Sequence, residues 1–586
     1  MRKSSRNAAA IALLVYLAAA VLLPTEHLEE KPPDNLPSTV EAAFVKLDLN
    51  ISKCTVSRFI FDTDPMRPAA PLFDGLGDLH FGVTTSVPKA QVYFDQGLRL
   101  AYAFNHAEAH RSFVEAARLD PACAMAYWGQ AYVLGPNIND PMPDEERRLQ
   151  ARQAADRALQ LMDDCSPLEK GLIRALDTRY SSDMESSIEA LNARYAEAMR
   201  SVAGQFDGNP EALTLLADAL MNTMPWNYWD MENNPNPGTL EAKTALEKAI
   251  ALNPAHPGAH HFYIHVVEKP DPDIGVPSAD ILGSLMPGAG HLVHMPAHIY
   301  IRVGRYKDAA RVNVDAVKAD EDYIAQCYAQ GLYPLGYYPH NIHFIWASAT
   351  FLGDSHTALL AARKVAEKVP VGELAELPFL QDFASTPMQA YVRFGLWDEI
   401  LTIPYPGDEY KHYRIIWHYA RSIAFVRKQN LESARRELNA LKKIAEDPEL
   451  ETLYATMTNP SSAILSVALA VVEGEVAAAE GKHEAAINFL KRAVTLEDQL
   501  IYSEPPPWHI PCRQNLGAVL LKAGKAKEAE DVYREELNVN RENGWSLLGL
   551  RESLKAQGRL EEAAQVDMRF DKAWEAADIE ITASVL

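Results

Sequence analysis

VGRYKDAARVNVDAVKAD, residues Val303 to Asp320, decides the fold, because its pattern returns along the chain. AFNHAEAHRSFVEAARLDP (Ala103 to Pro121), EGKHEAAINFLKRAVTLED (Glu480 to Asp498), AGKAKEAEDVYREEL (Ala523 to Leu537) and QGRLEEAAQ (Gln557 to Gln565) repeat it. Each joins two helices through a tight turn and places an Ala five residues beyond the turn residue. The small side chain lets the two helices approach closely, and a turn Gly supplies the left-handed backbone the reversal needs. From about Gly75 onward the apolar residues follow the helical period and strand patterns are almost absent, so the body should be nearly all helix.

These motifs resemble tetratricopeptide repeats, in which two antiparallel helices occupy about 34 residues. The resemblance implies an all-α, right-handed superhelical solenoid of about eight to ten helix pairs running from near Lys89 to the C-terminus, behind a short irregular arm. Residues 76–375 would form the N-terminal repeats and 376–586 the C-terminal ones, with Asn137 to Glu146 and Pro270 to Gly288 as insertions. GLGDLHFGVTT (Gly75 to Thr85), FNHAEAHRSF, HLVHMPAHIYIRVGRY and EPPPWHIPCRQNLG together look like exported or membrane-associated bacterial tetratricopeptide proteins, a group that brings no established activity with it.

Arg2, Lys3 and Arg6 precede an apolar run from Ala8 to Leu23 that Pro24 ends, the pattern of a signal peptide or short membrane anchor over residues 1–23. Sixteen residues fall short of the roughly 20 that span a bilayer. The expectation is an exported, periplasmic or extracytoplasmic protein, anchored at most by this segment, with a Pro-rich linker over 24–75. A formal charge of −23 without a basic stripe argues against a nucleic-acid partner. The five cysteines are scattered and contain no CxxC, so they offer neither a disulfide framework nor a zinc knuckle.

Nine of the eighteen histidines fall between Pro254 and His343. In the tetratricopeptide family the first helix of each pair lines the concave groove, and its inward positions lie about thirteen, ten, six and three residues before the turn Gly. Counting back from Gly304 gives His291, His294 and His298, and from Gly353 it gives His340 and His343. The unit after Pro254 presents His261, His265 and Glu268 on one helical face. His256 and His260 are off this phase and read as structural. TPMQAYVRFGLW (Thr386 to Trp397) repeats MPAHIYIRVGRY (Met295 to Tyr306) with Gln389 in place of His298, so the fold itself does not require these imidazoles. Pro296 and Pro387 should kink their helices or start them late.

Neutral imidazole is the commonest protein ligand for Zn, Cu, Fe and Ni. Three His, or two with Glu268, suffice for one ion with an open position, and seven His plus a Glu could hold two. An all-His pair points to copper, and carboxylate ligation to iron or zinc. Glu268 and Arg302 are the candidate catalytic groups, and Trp226, Tyr263 and Tyr337 the candidate walls for an organic substrate. In YSEPPPWHIPCRQNLG (Tyr502 to Gly517), Glu504, His509 and Cys512 lie in what reads as a rigid connector whose Trp508 caps the preceding helices. HExxH, GxSxG, GxxxxGK[ST] and a helix-opening GxGxxG are all lacking. Two readings follow. One is a transition-metal site (Cu, Fe or Zn) in the groove, serving oxidation or hydrolysis of a small organic molecule. The other is a metal-free envelope adaptor that binds a peptide or partner protein there.

Overall fold

The computed structural model describes residues 69–181, 186–326, 336–456 and 458–586, and all of them belong to one compact unit, Leu47–Leu586. The leader and most of the linker expected over residues 1–75 lie outside the described residues. After an irregular arm the first helix among the described residues begins at Pro88, and consecutive helices pack pairwise from there to the helix Leu560–Ala573. Among the described residues there is no strand, only two isolated bridges at Asn137–Asp140 and Trp229–Pro235. The chain is thus an all-α solenoid of antiparallel helix pairs of the tetratricopeptide kind.

One local device makes the pairs. At eight of the pair turns a backbone N–H reaches back from the end of the first helix, six residues inclusive, to a carbonyl of the last turn. The bonds are Asn105 to Leu100 (3.0 Å), Arg305 to Tyr300 (2.8 Å), Asp354 to Ala349 (3.1 Å), Leu396 to Tyr391 (2.9 Å), Asn430 to Phe425 (2.9 Å), Lys482 to Ala477 (2.9 Å), Lys525 to Leu520 (2.9 Å) and Arg559 to Leu554 (3.0 Å). The residue before each donor is left-handed, and in six of these turns it is glycine: Gly304, Gly353, Gly395, Gly481, Gly524 and Gly558, with φ from 72° to 81°. A Cβ added at Gly481, Gly524 or Gly558 would meet nothing, so there the backbone angle alone selects glycine. Gly481→Ala should therefore lower stability by roughly 1 kcal/mol through left-handed strain. A urea midpoint equal to that of the parent would show the turn to be indifferent to a side chain.

The histidine-bearing helices are Pro257–Val267, Gly290–His294 continued by Pro296–Arg302, and Tyr338–Leu352. Pro296 breaks its helix, so His291 and His294 stand on a short approach turn and His298 on the helix proper. Pro387 behaves differently and lies inside the continuous helix Phe379–Arg393. The C-terminal pairs fold back onto the middle of the chain. Tyr306 Oη donates to the Arg541 carbonyl (2.9 Å), Trp545 Nε1 to the Thr350 carbonyl (2.9 Å), and Arg541 pairs with Asp273 (2.8 Å). The connector Tyr502–Pro511 brings Trp508 against Tyr419 and sets Glu504 beside Arg302. The site therefore lies inside the molecule, not on an open concave surface. The helix Ser461–Ala479 is long and apolar enough to cross a membrane, but two-thirds of it is buried in the C-terminal core.

Candidate metal centre

Six of the nominated histidines converge as two trios. The ligating atoms of His261, His265 and His291 lie within 4.8 Å of one another, as do those of His294, His298 and His340. His261 Nε2 stands 3.1 Å from His265 Nε2 and 3.2 Å from His291 Nε2, and His294 Nε2 stands 2.9 Å from His298 Nε2. The trios face each other, with the His291 and His294 rings 5.8 Å apart and those of His265 and His298 5.7 Å apart. His261 and His294 are fully buried, and only His340 is partly exposed.

The outer nitrogens fix the tautomers. His261 Nδ1 lies 2.7 Å from the carbonyl of Tyr102, which ends the helix Pro88–Tyr102 and has no helical donor left to accept from. His294 Nδ1 lies 2.6 Å from Asn313 Oδ1, and Asn313 spends its amide donor on the Ala309 carbonyl (2.8 Å), so its oxygen accepts. The Glu268 carboxylate lies between the trios, 3.4 Å from His265 Nδ1 and 2.7 Å from His298 Nδ1. Each of these four rings must donate through Nδ1, which leaves a bare lone pair on Nε2. His261 and His265 thus aim lone pair at lone pair, and so do His294 and His298. An ion about 2.0–2.1 Å from each nitrogen places tetrahedral ligands about 3.3 Å apart, close to the spacings found here. A shared proton is the alternative occupant, and burial opposes it, lowering the pKa of His265 and carrying those of His261 and His294 well below the ordinary imidazole value. Burial also pushes Glu268 up, but the charge that His298 and His265 carry when protonated and the hydrogen bonds they donate outweigh it and hold the carboxyl at about 2.

Two nominated ligands lie outside the two all-histidine trios. Glu268, read from sequence as a ligand or catalytic group, has both oxygens on the Nδ1 atoms of two histidines, the outer position that orients metal-binding imidazoles. It also forms a carboxylate-bearing group with His265 and His298. His343 joins neither trio. Three residues beyond His340 it turns toward the next unit, stacked on Trp346 (4.7 Å, 18°) and edge-on to Phe383 (5.4 Å). His256 and His260 are structural as expected. His256 caps its own helix through the Ala259 N–H (3.1 Å), and His260 bridges Ser278 Oγ and the Pro254 carbonyl, both at 2.9 Å.

Of the three nominated aromatic walls, two reach the centre. Trp226 stands edge-on to His265 (5.0 Å) and Tyr337 to His291 (4.7 Å). Asn139 links them, accepting from Trp226 Nε1 (3.0 Å) and donating to Tyr337 Oη (2.8 Å). All three are partly exposed, like His340, so this is the side from which the trios are approached. Tyr263 does not belong there, since two residues from His261 and His265 it faces the opposite way and donates to Glu247 (3.1 Å). Arg302 lies under the connector, its Nε 3.8 Å from Glu504 and its guanidinium 5.5 Å from the Tyr502 ring. Burial pushes Glu504 up to about 7 against the pull of Arg302, and its Oε1 accepts from Tyr502 (2.7 Å).

Sequence reasoning missed several neighbours of the trios, Asn313, Phe104 and Phe344 among them, the last with its ring 4.7 Å from His294 and 5.0 Å from both His298 and His340. Asn313 sits fully buried on the second helix of its pair, and Phe104 sets its ring 4.5 Å from His261, 5.3 Å from His291 and 6.0 Å from His265. A polar residue on an apolar stripe was the available signal for Asn313, and an aromatic side chain at a turn otherwise held by glycine was the signal for Phe104.

No family model matches the chain, and no curated protein does. Among solved structures it is similar to a human IFIT1 dimer with m7Gppp-AAAA (12% identity, 85% of this chain and 92% of that chain, TM-score 0.31). It is also similar to yeast Tom70 (13% identity, 82% and 90%, TM-score 0.25) and to the TPR domain of P58(IPK) (13% identity, 81% and 99%, TM-score 0.21).

Proposed function

We propose that the chain holds a pair of transition-metal ions, one on His261, His265 and His291 and the other on His294, His298 and His340. The observation that carries this is the facing of acceptor-only nitrogens in both trios, at 3.1 Å and 2.9 Å, in a buried space. A polar core without an ion would arrange one donor for each acceptor, and here the four outer oxygens of Tyr102, Asn313 and Glu268 have used the Nδ1 donors of these rings.

Copper fits best. Each shell is three neutral imidazoles, and among the described residues the only carboxylate touching them is Glu268. Two buried dications would stand against one compensating charge, whereas an ion that spends part of its cycle as a monocation carries a smaller burial penalty. Imidazole also suits copper as a ligand type. When bound, such a pair would serve two-electron oxidation of a small organic molecule by dioxygen: the substrate gives up two hydrogens and dioxygen leaves as hydrogen peroxide. The chain's own part is to hold six nitrogens in place, to lock their tautomers through Tyr102, Asn313 and Glu268, and to offer an approach lined by Trp226, Asn139, Tyr337 and His340.

Elemental analysis of protein purified without a His tag, before and after loading near neutral pH, tests this. About two equivalents of copper per chain are expected on a pair of three-ligand sites. Zinc or iron at that level would keep the site and change the chemistry to hydrolysis or other redox work. Less than about 0.2 equivalents of any transition metal, under conditions where the imidazoles are neutral, would overturn the proposal and leave the metal-free adaptor as the reading of choice.

A further inference from the structure

Of the eight equivalent helix-pair turns, six place glycine in the left-handed position and one places the exposed Gln429 there, at φ 59°. The remaining turn places Phe104, at φ 55° and buried. Its closure is the same as the others, with the Asn105 N–H on the Leu100 carbonyl at 3.0 Å. A bulky side chain in this region is a genuine outlier, and such strain persists where the surroundings demand it. What surrounds Phe104 is the first trio. Its ring lies nearly parallel to His265 (11°) and His291 (26°) and tilted on His261 (58°), and His106 stacks on it at 5.6 Å. The turn also fixes Tyr102, two residues earlier, whose carbonyl takes the proton of His261 Nδ1. Trp226, a second aromatic residue with a left-handed backbone (φ 60°), stands edge-on to His265.

We infer that Phe104 is a positioning residue for the first metal site, held in a conformation that the repeat elsewhere gives to glycine or to the exposed Gln429, so that its ring fixes the planes of His261, His265 and His291 and keeps water from them. The inference rests on the two-ion reading. An aromatic ring thus packs on each trio: Phe104, from a left-handed turn, on the first, and Phe344, from within the helix Tyr338–Leu352, on the second, 4.7 Å from His294 and 5.0 Å from both His298 and His340.

The test uses the full, untagged chain, with copper as the probe and a chromophoric chelator as competitor. Phe104→Gly is expected to weaken one of the two ions by about tenfold or more, the scale of losing an outer partner of a metal ligand, and to leave the other unchanged. In a His294→Ala background, where only the first site is left, the same substitution should release the remaining ion; in a His265→Ala background it should leave that ion in place. Phe104→Ala should weaken the ion equally but unfold more readily than Phe104→Gly, the reverse of the usual order, because alanine keeps the left-handed strain. Phe113→Ala, which empties a fully buried position away from both trios, serves as the control for core loss and should leave both ions in place. Two ions in Phe104→Gly with affinities within about twofold of a two-ion parent would overturn the inference while leaving the metal reading intact. A parent chain that takes up no copper would overturn both.

Discussion

His265→Ala and His294→Ala are each expected to lower the bound metal from two equivalents per chain to one, and the double variant to lower it to none. Each substitution removes one of three ligands from one trio and leaves the other complete. Loss of an outer-shell partner alone typically weakens a site by about 10- to 100-fold, and loss of a direct ligand should exceed that. Helical content should barely change, because the chain tolerates other residues at the equivalent places: Asp382, Ser385 and Gln389 stand in the later unit where His291, His294 and His298 stand in the earlier one. His298→Gln therefore makes a second, milder probe of the same trio, borrowing the residue the chain itself uses at Gln389. Full occupancy retained in both Ala variants would move the site elsewhere, and loss of both ions in either would show one shared site in place of two.

Glu268 should have the widest effect of any single residue, because its carboxylate touches both trios. Its oxygens meet His265 Nδ1 and His298 Nδ1, fixing one imidazole in each, and among the described residues its charge is the only negative one in contact with the six rings. Glu268→Ala should weaken both sites by about 10- to 100-fold, or roughly 1.4–2.7 kcal/mol each. Glu268→Gln should split them. An amide oxygen can still accept from one Nδ1–H, but the amide nitrogen cannot accept from the other, so one site should stay close to normal while the other weakens. Competitive copper titration with two resolved affinities reads this directly. Equal weakening of both sites by Glu268→Gln would point to its charge, not its hydrogen bonds, as what matters, and no weakening by Glu268→Ala would remove it from the centre.

Of the six trio histidines, His291, His294, His298 and His340 were reached by counting from turn glycines and His261 and His265 by their spacing on one helical face; both work because a helix repeats its faces at a fixed angle. The count failed at His343 for a related reason. His340 and His343 lie on neighbouring lines of one helix, and a small rotation sends one to His294 and the other to Trp346 and Phe383. Glu268 was nominated on the correct face, but whether its carboxylate meets an ion or a ring nitrogen depends on His298, thirty residues away, and no local pattern carries that. Tyr263 was misplaced by chemistry type alone, since its position between His261 and His265 already puts it on the far side.

By itself, the sequence determined the helix pairs, their turns and the segments that carry the histidines, because backbone sterics at a left-handed glycine and the 3.6-residue period act within one or two turns of chain. Only the tertiary structure decided that the histidines divide three and three, that Tyr102, Asn313 and Glu268 hold their tautomers, and that Phe104 stands where glycine would otherwise be. It also decided that the groove is filled by the returning C-terminal pairs and the connector at Tyr502–Pro511, so that the centre is buried. Those facts depend on side chains that are tens to hundreds of residues apart in the chain, and what brings them together is the stacking of the repeats.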